Sequence, residues 1–385
     1  MAKINRRVFV VVAGAGLALA PELLAADPAA AVQAALAKRN QAVLVHTSWV
    51  RDPFIALGKD GWYLYTDTMQ DPSVIENDAT RNNVGLGTST MVAGVVRIYR
   101  SCDLVHWEGG DPVVSLKDTA YYEPHKATYD AAPPNRHNIW APELHQREDG
   151  RWAIIFTVPQ PLAPDFGAGL LLSSGSKIQG PWTNPMANLG HRHDPSLFRD
   201  DDGTWYVIYT STKIQPLNRD WSDWADPPVE LKPAPPSLHM GHEGCTILKI
   251  EGKYVLFGTG WSTGHRRRFG SYNLYYATAD KVTGPYGERR LAGRFLGHGT
   301  PFMDKHGKWW CTAFFNADVP PLPADGIETR DLSDKAQTIN QHGLTLVPLD
   351  IHKINGDIFV TALDPHYSTP GPGEAPAWTD PQVAG

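Results

Sequence analysis

The polar and apolar positions of the chain fall into a repeated plan. A residue followed by Pro or Gly opens each unit. A short apolar run comes next, then a turn ending in Gly, then a run of aromatic and β-branched residues. Five stretches carry this plan: Val50–Thr66, Ile139–Thr157, His191–Thr212, His242–Thr259 and Gly297–Phe315. Short apolar runs rich in Val, Ile, Tyr, Phe and Trp, bounded by turn residues, predict antiparallel hairpins. In His191–Thr212, Asp194-Pro195 opens the hairpin, Asp200–Gly203 turns it and Trp205–Tyr209 returns it. The acidic run Asp200, Asp201, Asp202 falls in the turn, where solvated side chains are expected.

The turn glycines are Gly61, Gly150, Gly203, Gly252 and Gly307, spaced 89, 53, 49 and 55 residues apart. A period near 50 with strands in the second half of each unit is that of a β-propeller blade. Those further strands are expected within Val95–Trp107, Gly169–Trp182, Tyr272–Tyr286 and, for the closing unit, Leu344–Val360. The long first interval is one blade plus insertions in Gln70–Val92 and Lys117–Arg136. The prediction is an all-β chain with a single five-bladed β-propeller over residues 40–363. No stretch is left over for a second domain. Residues 364–385 hold five prolines and read as an irregular tail.

Counting back nine from each glycine gives Asp52, Ala141, Asp194, Glu243 and His298, each followed by Pro or Gly. In a propeller the innermost strands surround one axis, so equivalent positions meet at one end of the channel. Asp52, Asp194, Glu243 and His298 are therefore expected around one pocket. Carboxylates in one concave site repel one another, and at least one should hold its proton near neutrality. A protonated acid facing an ionised base is what glycoside hydrolysis requires. A separation of about 6.5–9.5 Å leaves room for water and gives inversion at the anomeric carbon. Acids on different blades are expected at that scale.

Composition narrows the partners. The formal net charge is −6 and no basic stripe is present, which argues against nucleic acid and anionic membranes. The 13 Trp and 14 Tyr suit both a β-rich core and sugar stacking. The three cysteines lack CxxC spacing, so zinc and dithiol chemistry find no support, and Cys245 and Cys311 are expected as small buried residues. Residues 1–26 read as an export signal. Lys3, Arg6 and Arg7 precede an apolar stretch of 13 residues, Val8–Ala20, and small residues follow at Leu24-Ala25-Ala26. The paired arginines resemble those of a twin-arginine signal, with an ordinary secretory signal as the alternative. The stretch is too short for a membrane span, and a periplasmic or secreted protein is expected.

The motifs Val50–Pro53, Trp140-Ala141-Pro142-Glu143, His193-Asp194-Pro195-Ser196-Leu197-Phe198, Glu243-Gly244 and Gly297-His298-Gly299 together resemble glycoside hydrolase family 43. Ser101–Trp107 and Gly180-Pro181-Trp182 add to the resemblance, which covers roughly residues 45–360. It implies a five-bladed propeller, an inverting mechanism, Asp52 as general base, Glu243 as general acid, and Asp194 as the residue that tunes the acid and orients the sugar. It also implies arabinofuranosidase or xylosidase activity, with endo-arabinanase or exo-galactanase action as an alternative; a five-bladed glycosidase of another family acting on anhydrosugars and a non-catalytic sugar-binding propeller are the readings outside it. His298 stands where the family often places a histidine on a central calcium or other ion, and no cofactor is needed for the chemistry itself. Cys245 departs from the Gly-Pro or Ala-Pro that commonly follows the family's acid. Around the ring, Trp49, Trp140 and Trp261 are candidates for stacking on an oligosaccharide or polysaccharide. Glu143 and His242 are candidates for hydroxyl contacts, and Arg267 for an acidic sugar.

Overall fold

The computed structural model describes residues 40–69, 92–132, 137–159, 167–186, 189–237, 239–241, 243–262, 271–313 and 342–369, with residues 34, 36 and 38. Among the described residues, four four-stranded antiparallel sheets and one of five strands form a ring. The first holds β2 (Phe54–Leu57), β3 (Tyr63–Met69), β4 (Val92–Ser101) and β5 (Glu108–Ser115). The second holds β6 (Trp140–Gln146), β7 (Trp152–Val158), β8 (Gly167–Ser173) and β9 (Trp182–Thr183). The third runs through β10 (Ser196–Arg199), β11 (Trp205–Tyr209), β12 (Lys213–Pro216) and β13 (Val229–Glu230). The fourth runs through β14 (Glu243–Ile250), β15 (Lys253–Trp261), β16 (Tyr272–Ala279) and β17 (Arg290–Gly293). In the fifth, β18 (Pro301–Met303), β19 (Trp309–Ala313) and β20 (His342–Ile354) are completed by β1 (Val43–Trp49), the first strand among the described residues, while β21 (Asp357–Ala362) pairs with the C-terminal half of β20. The expected five blades are present. The closure of the last blade by β1 is a pairing between residues about 300 apart, which no local pattern announces.

The middle strands of the second and fourth blades are buried on both faces, as in the all-buried run Trp152–Val158. The reason is that each blade is sandwiched between two others. Alternate side chains of β7 belong to different cores: Ile154 and Phe156 pack with Leu64 and Ile98 of the first blade, and Ala153 and Ile155 with Val207 and Tyr209 of the third. In β15, Leu256 packs toward Ile208, while Val255 and Phe257 pack toward Val347. A fifth cluster joins Val43, Val45 and Leu344 to Ile55 and Tyr65 and closes the ring. The period of two along these strands thus feeds two interfaces, with no solvent face in the middle strands of the second and fourth blades.

Two expectations need correction. Residues 364–368 are not an irregular tail: Asp364 caps a short helix, α1 (Pro365–Ser368), accepts a hydrogen bond from Ala42 N at 2.6 Å, and lies beside the fully buried Tyr367. The tip of the third hairpin is also less bland than expected. Asp200 accepts hydrogen bonds from Tyr254 Oη at 2.7 Å and Lys249 Nζ at 2.9 Å, which ties the third blade to the fourth. Burial pushes its carboxyl up, but these donors outweigh it and hold it below the ordinary range. Only Asp201 and Asp202 are exposed as anticipated.

Candidate active site

Each blade begins at the channel with one residue in the left-handed region: Asp52 at φ 48°, Ala141 at 46°, Asp194 at 42°, Gly244 at 56° and His298 at 59°. Non-glycine residues there are uncommon, and their recurrence at one structural position marks a shared turn into the inner strand. The fourth blade corrects the counted register. Its left-handed residue is Gly244, so Glu243 lies one position earlier, equivalent to Arg51, Trp140, His193 and Gly297. A bulge follows in both comparable strands, between Trp140 and Glu143 and between Glu243 and Thr246.

Two tiers therefore surround the channel mouth, and one cavity of about 40 Å³ is lined by both: Arg51, Asp52, Trp140, His193, Asp194, Glu243 and His298. Asp52 and Asp194 are almost wholly buried, at 8% and 5% exposure, and Glu243 is half-buried. His298 lies between the two aspartates, with Nδ1 3.1 Å from Asp52 Oδ1 and Nε2 3.7 Å from Asp194 Oδ2. Arg51 Nε approaches the same Asp52 oxygen at 3.6 Å, and His193 Nδ1 lies 3.2 Å from Asp194 Oδ2. Burial raises the Asp194 pKa. His193 and His298 oppose that, and the negative charges of Glu243 and Asp52 add to it, leaving the carboxyl above its ordinary range. For His298 burial works against the charged ring, yet Asp52, Asp194 and Glu243 outweigh it and raise its pKa.

Hydroxyls hold this arrangement at every blade junction. Thr66 donates to Pro142 O at 2.8 Å, Ser211 to Glu243 O at 2.9 Å and Thr312 to Pro53 O at 2.7 Å. Thr157 accepts from the Asp194 backbone N–H at 2.9 Å, and Thr259 from that of His298 at 2.8 Å. All five hydroxyl residues are fully buried. Gly244 permits the close fit in the fourth blade, because a Cβ there would stand 2.8 Å from the His298 ring.

Of the residues picked out in sequence, Asp52, Asp194, Glu243, His298 and Trp140 meet at the cavity; Trp140 stands edge-on to His193 at 6.3 Å. Glu143 lies deeper in the channel, paired with His145 Nε2 at 2.9 Å and accepting from Leu197 N at 3.3 Å, a brace between the second and third blades. Trp261 does not present a face to the channel. Its ring lies 4.5 Å from that of Tyr272 and is 4% exposed, because it belongs to the core between blades. His242, Arg267 and the side chain of Trp49 lie outside the described residues. Arg51, His193 and Tyr272 were not singled out. The first two immediately precede ring residues, a signal that the equivalence of Glu243 and Trp140 would have revealed. Tyr272 starts the third strand of its blade, and nothing local marks it.

Both ring nitrogens of His298 face carboxylates, and a neutral ring there could lend one nitrogen to a cation shared with Asp52 or Asp194. Ligand-type atoms of His193, Asp194 and Glu243 lie within 4.8 Å of one another, a set that could hold a cation only with water filling the rest of its shell. Cys245 and Cys311 are buried free thiols, Cys102 an exposed one. No helix among the described residues is long and apolar enough to cross a membrane.

A five-bladed propeller with acids from three blades around one cavity has the build of a propeller glycosidase. The chain belongs to the glycosyl hydrolases family 43, whose family model matches residues 45–319. It is 33% identical over 117 residues to a protein of Escherichia coli (strain K12) provisionally named a beta-xylosidase, and 29% identical over 113 residues to xylosidase/arabinosidase 43B of Humicola insolens. These stretches cover 30% and 29% of the chain, and only 20% of either relative. Among solved structures it is similar to the GH43_1 enzyme from Xanthomonas citri complexed with xylose, with TM-score 0.55, 17% identity and coverage of 87% of this chain and 97% of that one. It is also similar to the endo-arabinase from Bacteroides thetaiotaomicron VPI-5482, with TM-score 0.52, 17% identity and coverage of 82% and 98%. At such identities the likeness shows the fold.

Proposed function

We propose that this protein is an exported, inverting glycosidase that removes pentose units, as α-L-arabinofuranosidase or β-xylosidase, from plant or algal polysaccharide side chains or their oligosaccharides. The observation that carries the reading is the single cavity shared by Asp52, Asp194 and Glu243. Glu243 gives its proton to the glycosidic oxygen as the bond to the anomeric carbon breaks. Asp52, set between Arg51 and His298, takes a proton from the attacking water. Asp194 stays close to both, and its raised pKa discourages a third negative charge in the site. Trp140 offers an aromatic surface at the rim. The pentose preference draws on the xylosidase and arabinosidase names of the relatives.

The test is a panel of 4-nitrophenyl α-L-arabinofuranoside and β-D-xyloside, xylo- and arabino-oligosaccharides, arabinan and galactan, with the product anomer followed by NMR. Hydrolysis of a pentoside with inverted configuration is expected. A retained configuration overturns the base-and-water mechanism, and activity confined to arabinan or galactan replaces the pentose-releasing reading. Export is tested separately: N-terminal sequencing of protein recovered outside the cytoplasm should begin near Asp27.

A further inference from the structure

Glu243 is held by a partner that neither its motif nor the acid ring explains. Tyr272, at the start of β16, donates its hydroxyl to Glu243 Oε1. The tyrosine is fixed on several sides. It pairs with Trp261 in the β15–β16 ladder, and the two rings lie 4.5 Å apart. Its carbonyl accepts from Gly297 N at 3.0 Å, and its ring lies so close to Gly297 that a Cβ there would be 2.0 Å from Cδ1. Gly297 immediately precedes His298, so one ring spans the junction between the fourth and fifth blades. Burial, then the charge of Glu243, keeps the phenol pKa well above its ordinary value, so it remains a donor.

We propose that Tyr272 is a positioning residue for the general acid: by donating to Oε1 it assigns the transferable proton of Glu243 to Oε2 and aims that oxygen at the leaving group. The inference rests on Glu243 being the acid. The bond made is O–H on the glycosidic oxygen, the bond broken is from that oxygen to the anomeric carbon, and the carboxylate left behind still accepts from Tyr272. Positioning of this kind is felt only where the leaving group needs the proton, since general-acid assistance is worth about 10²–10⁴-fold in such cases. A nitrophenolate leaves without it.

The experiment compares Tyr272→Phe, Glu243→Gln and the double variant on a 4-nitrophenyl glycoside and on the matching disaccharide, with thermal unfolding recorded for each. For Y272F we expect kcat on the disaccharide to fall about 10-fold, KM to stay within about 2-fold, and the nitrophenyl substrate to lose less than about 2-fold, the loss being a fraction of the acid's own contribution. On the E243Q background Y272F should add nothing. Gly297→Ala, which pushes the ring away while keeping the hydroxyl, should reproduce the leaving-group dependence and serves if Y272F does not fold. Equal losses on both substrates, or an undiminished effect on the E243Q background, overturn the inference. If E243Q itself shows no leaving-group dependence, the assignment of the acid has failed instead.

Discussion

Asp194 and Glu243 open adjacent blades, yet they sit one register apart, and that offset separates their chemistry. Asp194 occupies the left-handed position, points into the channel, is 5% exposed and shares His298 with Asp52. Glu243 stands one residue earlier, half-buried at the cavity, with its backbone carbonyl held by Ser211 and its carboxyl by Tyr272. A single side-chain type in a single ring position would give equivalent groups. Shifting one acid by a residue gives a buried carboxyl that resists ionising and a more open one that Tyr272 holds at the cavity. The fourth blade accommodates the shift with Gly244, where any side chain would strike the His298 ring.

The comparison predicts unequal losses. Glu243→Gln should lower kcat/KM on an oligosaccharide by about 10³-fold, the middle of the range for a general acid, and steady-state kinetics with active-site titration would show it. Asp194→Asn should cost about 10²-fold, because it removes a neighbour of the reacting groups and not a proton carrier. Equal losses from the two variants would mean that the offset has no catalytic meaning.

A second consequence concerns pH. Asp194 has a raised pKa in the folded protein, so the folded state keeps that proton longer than the unfolded chain does. Its contribution to stability is greatest below the unfolded value, about 4, and declines as pH rises through the folded value. His298 has the same sign in a higher window: its stabilising contribution is complete below about 6.5 and is lost as pH rises through its raised folded value. Urea denaturation of D194N and wild type across pH 4–7 should therefore show the variant gaining relative to wild type as pH increases. A parallel pair of curves would contradict the buried, proton-retaining Asp194.

How far this difference could be read in sequence depends on turns. The repeat of glycine-closed hairpins was legible because four of the five inner hairpins close over five residues, as between Arg199 and Trp205. It therefore located the five blades and brought Asp52, Asp194, Glu243 and His298 to one site. The fourth hairpin pairs Ile250 with Lys253 over just Glu251 and Gly252, both at positive φ. A two-residue turn of this kind prefers Asn or Asp before Gly, and Glu251 hides it, so counting back from Gly252 overshoots by one. The closing strand Val43–Trp49 and the Tyr272–Glu243 contact join distant segments and leave no periodic trace. Trp261 illustrates the opposite error: a Trp near the ring stacks on Tyr272 in the core because the strand's period turns it inward.

The offset can also be attacked through the backbone. Gly244→Ala places a Cβ at φ +56°, 2.8 Å from His298 and 2.9 Å from Thr259 Oγ1. A non-glycine residue in a sparsely populated conformation costs about 1–3 kcal/mol, to be read from the denaturation midpoint. Alanine is nevertheless tolerated at the matching place in the second blade, where Ala141 adopts φ 46°. The expected damage therefore comes mostly from crowding His298, and a variant as stable as wild type would show that the ring can yield.

The smallest expected effect lies in the hydroxyls beneath the two acids. Thr157 accepts the Asp194 N–H, while Ser211 donates to the Glu243 carbonyl. Thr157→Val leaves a buried N–H without its acceptor, at a cost of about 1–3 kcal/mol, whereas Ser211→Ala leaves a carbonyl lacking one donor, at about 1 kcal/mol. The two also differ in reach. Asp194 relies on its backbone to stay in the left-handed turn, so loss of the Thr157 bond should be felt in kcat as well as in unfolding. Glu243 keeps Tyr272 on its carboxyl when Ser211 is truncated, so S211A should change stability while leaving kcat within about 2-fold, a bound that follows from losing one neutral hydrogen bond remote from the carboxyl.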